Sequence, residues 1–92
     1  MDFSLKQGSR FYKMTVEIIQ KNESIELYKV YARGNTSNYI ILQNNRPMIR
    51  ERYKLKTKSL TWKVIEGEIK NRRALNEVIK ILEFWIEPHH GF

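Results

Sequence analysis

The chain has 92 residues, of which 41% are hydrophobic, 12% aromatic and 29% charged, with no cysteine and a formal net charge of +7. That length makes a single domain over residues 1–92, and the apolar content suffices for a core, which argues against wholesale disorder. The lack of cysteine excludes disulfides, thiolate chemistry and sulfur-based zinc sites, and it fits a cytoplasmic protein.

Residues 1–10 have no apolar core and no cleavage-like site, which argues against a secretory signal. Residues 1–9 read as a mobile terminus, with Phe3 and Leu5 free to cover part of a sheet. From residue 10 to 20 the chain alternates: Tyr12, Met14, Val16 and Ile18 share one face, and Lys13, Thr15 and Glu17 share the other. Period two in a stretch rich in β-branched and aromatic types predicts a half-buried strand. A second strand is predicted over residues 24–33 after the polar turn at Lys21, Asn22 and Glu23. Its two faces are Ile25, Leu27, Lys29, Tyr31 and Glu26, Tyr28, Val30, Ala32, and neither is cleanly polar.

Gly34 and Asn35 signal a turn, and residues 39–43 form a short apolar run that fits a central strand. Pro47 argues against a regular strand there. The connections so far are too short for helical crossovers, so these strands form an antiparallel meander. Residues 50–58 alternate strictly, with Arg50, Arg52, Lys54, Lys56 and Lys58 on one side and Glu51, Tyr53, Leu55 and Thr57 on the other. As a strand this is a comb of cations about 6–7 Å apart; as a flexible arm it has no fixed spacing. Leu60, Trp62 and Val64 alternate in the opposite register, so a turn or bulge is expected near Lys58 and Ser59. Gly67 ends or bends that strand.

Asn71 is the predicted N-cap of a helix that runs to about Glu87, before Pro88. Leu75, Val78, Ile79, Leu82, Trp85 and Ile86 recur at helical spacing and must dock on one face of the sheet. Residues 88–92 read as a mobile tail. The expected fold is therefore α+β: an antiparallel meander of four to five strands followed by one C-terminal amphipathic helix packed on one face. This order of strands and helix resembles the architecture of Pur-type and Whirly-type binders of single-stranded nucleic acid, none of whose motifs occurs here.

Charge is unevenly placed. Residues 44–63 hold seven bases and one acid, a net of +6. A concentrated positive field attracts polyanions. The candidate phosphate contacts are Arg46, Arg50, Arg52, Lys54, Lys56, Lys58 and Lys63, with Tyr53 and Trp62 near enough in sequence to stack or, as strand aromatics usually do, to join the core. The competing reading is a solvated edge strand whose lysines block sheet-to-sheet aggregation. A general compositional bias towards Ile, Lys, Asn and Tyr explains Lys54, Lys56 and Lys58 better than it explains the arginines. Arg72 and Arg73 oppose the helix dipole, and they extend the strip if the helix start lies beside it; otherwise Arg73 pairs with Glu77 and Arg72 faces water.

Large apolar groups fall on both sheet faces, while one helix covers only one. The second face is a homodimer interface or an aromatic platform, unless twist and the N-terminal residues cover it. His89 and His90 lack further ligands, so no metal is expected. No catalytic constellation is present, so neither an enzyme nor a cofactor is expected. No segment is long and apolar enough to span a membrane, and no basic amphipathic helix favours a membrane surface. Nucleic-acid binding with little sequence preference, through a basic strand or arm at residues 46–63, is the expected function. The alternative is a protein-interaction module or homodimer that uses the second sheet face and has no nucleic-acid role.

Overall fold

A computed structural model of the chain describes residues 1–47 and 60–90. Its elements are β1 (Asp2–Gln7), β2 (Arg10–Lys21), β3 (Glu26–Ala32), β4 (Asn35–Asn44), β5 (Trp62–Glu66) and α1 (Arg72–His90). The strands form one antiparallel sheet in the order β1-β2-β3-β4-β5, so each pairs only with its sequence neighbours. The α+β meander with a C-terminal helix is the architecture that the periodicities predict.

The strand inventory differs at the start. Residues 1–9 are not a free terminus, because β1 pairs with β2 from Asp2↔Thr15 to Gln7↔Arg10. The physical reason is a period of two too short to stand out: Phe3 and Leu5 alternate with Asp2, Ser4 and Lys6. Leu5 is buried on the helix side, and Phe3 packs beside it, so neither covers the second face. Asn22 makes the β2–β3 turn, accepting hydrogen bonds from the backbone N–H groups of Ser24 (2.7 Å) and Ile25 (2.9 Å). Gly34 turns the chain from β3 to β4 with φ of 85°, a conformation that other residues rarely adopt. The expected strand at residues 50–58, and the register change at residues 58–59, lie outside the described residues.

Cross-strand register sorts the faces. Val16, Val30 and Ile40 are direct partners on one face; Thr15, Tyr31 and Tyr39 are partners on the other. The first face adds Leu5, Tyr28 and Leu42, and α1 covers it with Ala74, Val78, Leu82 and Ile86, all buried. Burying each larger side chain contributes roughly 1.5–3 kcal/mol before entropy is counted. Asn71 caps α1 as predicted, its Oδ1 accepting from the backbone N–H of Arg73 (2.9 Å) and of Ala74 (3.4 Å). The helix continues beyond Glu87 to His90. A proline in the last turn removes one hydrogen bond, which need not end the helix there. Between β5 and α1, Gly67 has φ of 82°, and a Cβ there would strike the Tyr39 carbonyl and Ile40. That close approach holds the exit of β5 against β4.

A candidate nucleic-acid interface

The predicted site residues separate into groups. Arg50, Arg52, Lys54, Lys56 and Lys58 lie outside the described residues. Lys63 is exposed on β5, opposite Gln43, and its neighbour Trp62 points to the covered side. Arg72 and Arg73 are exposed at the first turn of α1, and Arg73 forms no ion pair with Glu77. The cap residue Asn71 donates its amide to Gln7 Oε1 (2.9 Å), which places the helix start at the β1–β2 turn. Trp85 instead packs against Tyr28, whose other neighbour is Trp62. At 1.5 Å per residue, Arg72 is thus about 20 Å along the helix axis from the end where Trp62 enters the sheet. Arg72 and Arg73 therefore stand well away from the root of the basic segment, whose residues 48–59 lie outside the described ones.

Arg46 is the main correction to the cation strip. It is fully buried, with 0% of its surface exposed. Its Nε donates to Glu26 Oε1 (2.7 Å) and its Nη2 to Glu26 Oε2 (2.5 Å), a two-point grip on one carboxylate. Tyr28 donates its hydroxyl to Glu26 Oε1 (2.9 Å), and Lys21 Nζ stands 3.6 Å from Oε2. The Arg46 backbone N–H donates to Asn44 Oδ1 (3.0 Å). Burial pushes the Glu26 carboxyl up, but hydrogen bonds from Arg46 and Tyr28, with the Arg46 charge, outweigh it and hold the group below the usual carboxylate value. Burial likewise drives the Tyr28 hydroxyl well above its ordinary value, with Glu26 adding to the rise. Burial pulls Arg46 down, yet Glu26 more than compensates, so the guanidinium is held charged.

A charge buried this completely is a structural anchor rather than a phosphate contact. It fixes the chain where β4 ends and the basic segment begins. The other end is tied to the same place, because the Thr61 N–H donates to Asn45 Oδ1 (2.9 Å). The sequence did hold one signal. Glu26 falls on the same strand face as Tyr28 and Val30, and an acid on a buried face requires a partner.

The face away from α1 is open. Its described side chains are half-buried or exposed, and none belongs to the buried core. Tyr31 and Tyr39 stand side by side as cross-strand partners. Lys29 Nζ lies 4.6 Å from the Tyr39 ring centre and 5.6 Å from that of Tyr31, and Lys6 Nζ lies 5.8 Å from the Phe11 ring centre. Phe11 is 69% exposed. The Tyr31 hydroxyl donates to Glu17 (2.7 Å), which raises the tyrosine's pKa, and Thr15 donates to Asp2 (2.8 Å). Sequence reasoning offered the second face as a homodimer interface or an aromatic platform, but it did not find these members, which meet only through the strand register. Among the described residues no group of His, Asp and Glu is arranged to hold a metal, and no helix is long and apolar enough to cross a membrane.

No family model, curated protein or solved structure matches the chain.

Proposed function

We propose that the protein binds nucleic acid, with little preference for sequence, through the basic segment that joins β4 to β5. The observation that carries this reading is the segregation of charge: residues 44–63 hold +6 of the chain's +7. Arg50, Arg52, Lys54, Lys56, Lys58 and Lys63 are the phosphate contacts, and Arg46 serves as the anchor at the root. Anchored ends support the reading, since a segment tied at both ends loses less entropy on binding than a free tail. Lysines and arginines that meet phosphates, whether on a strand or an arm, contribute affinity rather than base recognition, which suits weak sequence preference.

Fluorescence anisotropy with single-stranded DNA, duplex DNA and RNA at two salt concentrations tests this. Log affinity is expected to fall by roughly 0.7–0.9 per decade of salt for each phosphate neutralised. Arg50→Glu/Arg52→Glu/Lys54→Glu is expected to abolish binding while leaving the circular dichroism of the fold unchanged. Binding that ignores salt, or that survives the triple reversal, rules the reading out.

A further inference from the structure

The open sheet face has two properties that point to one class of ligand. The first is unspent positive charge. Among the described residues the ion pairs are Lys21 and Arg46, both with Glu26. Lys6, Lys13, Lys29 and Lys63, all on the open face, are therefore unpaired with any described carboxylate. The strand acids on that face, Asp2, Glu17 and Glu66, number three against these four lysines, and the Thr15 and Tyr31 hydroxyls that donate to the first two leave their charge in place. The second property is flat aromatic surface beside that charge. Tyr31 and Tyr39 are adjacent, Lys29 lies against both, and Phe11 lies farther along the same face of β2, about 13 Å from Thr15.

We propose that this face is a stacking platform for single-stranded nucleic acid, with bases laid against Tyr31, Tyr39 and Phe11 and phosphates held by Lys29, Lys6 and Lys13. The proposal rests on the nucleic-acid reading above and names its substrate class. A duplex hides the flat faces of its bases in its own stack, so these rings reach bases only in a single strand. A second copy of the chain is a poor occupant, because its own open face carries the same excess of lysine over carboxylate and offers no polyanion to meet it. An acidic peptide satisfies the lysines but leaves the aromatic surface without a flat partner. Stacking on every base type is sequence-tolerant, which agrees with the weak preference expected of the basic segment.

Three probes separate the possibilities: a single-stranded oligonucleotide of uniform sequence, a duplex of the same length, and polyglutamate. The wild type is expected to prefer the single strand to both. Tyr31→Ala/Tyr39→Ala is expected to lower single-strand affinity by about tenfold or more with its salt dependence unchanged, because stacking releases no counterions. Lys29→Ala is expected to reduce the salt slope by about 0.7 instead. The tyrosines are half-buried, so wild-type protein supplies a check that needs no variant. Photocross-linking to an iodouracil-substituted strand is expected to label Tyr31, Tyr39 or Phe11. Cross-links confined to residues 46–63, with a folded tyrosine variant binding as wild type, overturn the platform while the basic-segment reading survives. Duplex or polyglutamate bound as tightly as the single strand also overturns it. Absence of salt-sensitive nucleic-acid binding overturns both.

Discussion

The two faces of β3 carry the same chemical ingredients in opposite surroundings. On the covered face Tyr28 donates to Glu26, and Arg46 grips that carboxylate from the strand end. On the open face Tyr31 donates to Glu17, and Lys29 lies over the rings of Tyr31 and Tyr39. Each set has a cation, a carboxylate and a tyrosine hydroxyl. Glu26, Tyr28 and Arg46 are all closed off from solvent, so each polar group depends on the others. On the open face water competes for every group, and the same contacts stabilise little. Losing one member of the buried set is therefore costly, and the exposed set remains available to a ligand.

Breaking the buried set gives the largest expected effect. Glu26→Gln leaves the Arg46 guanidinium buried beside a neutral amide. Urea denaturation is expected to show a loss of about 3–5 kcal/mol, against a total stability on the order of 5–15 kcal/mol. Glu26→Leu/Arg46→Met removes both charges at once and is expected to cost far less than the single change. Equal losses in the two variants would show that an unpaired charge is not the cause.

Acid sharpens the comparison. Burial alone raises the Glu26 pKa, but Arg46 and Tyr28 bring the folded value below the ordinary 4.5. The unfolded chain thus takes up the proton at the higher pH. The stability that this group contributes is complete above about 4.5 and is lost as pH falls through the lower folded value. The urea midpoint of the wild type is expected to drop on acidification to about pH 3, and that of Glu26→Leu/Arg46→Met to drop less. Parallel decreases would place the acid sensitivity in other carboxylates.

The sequence was most legible where an element's two faces differ strongly. β2 alternates over Tyr12, Met14, Val16 and Ile18, and α1 repeats its apolar residues at helical spacing, so both were predictable. β1 escaped because its alternation rests on Phe3 and Leu5 alone. β3 is central, with apolar and polar groups on both faces, and only its pairing with β2 and β4 decides which face the helix covers. Arg46 and Arg50 looked alike as members of one charged run. What separates Arg46 is a carboxylate 20 residues earlier on the neighbouring strand, which charge counting does not register. The open-face site was hidden for a similar reason. Lys29 meets Tyr39 only through a β3–β4 register that shifts between Tyr31 and Ala32. A one-residue slip in that pairing would send one of them to the other face.

A matched pair of single-atom deletions tests the contrast most directly. Tyr28→Phe and Tyr31→Phe each remove one hydroxyl that donates to a glutamate. At Tyr28 the ring stays packed between Trp62 and Trp85, but Glu26 loses a donor that water cannot replace. That change is expected to lower stability by about 1–3 kcal/mol. At Tyr31 the Glu17 carboxylate is exposed, so water takes over the lost hydrogen bond and the melting temperature is expected to match that of the wild type. The aromatic face of Tyr31 is retained, so single-strand affinity should also survive Tyr31→Phe while Tyr31→Ala weakens it. Equal thermal shifts for the two phenylalanine variants would mean that burial does not distinguish the two faces. A loss of single-strand affinity in Tyr31→Phe would mean that the hydroxyl, and not the ring, makes the contact.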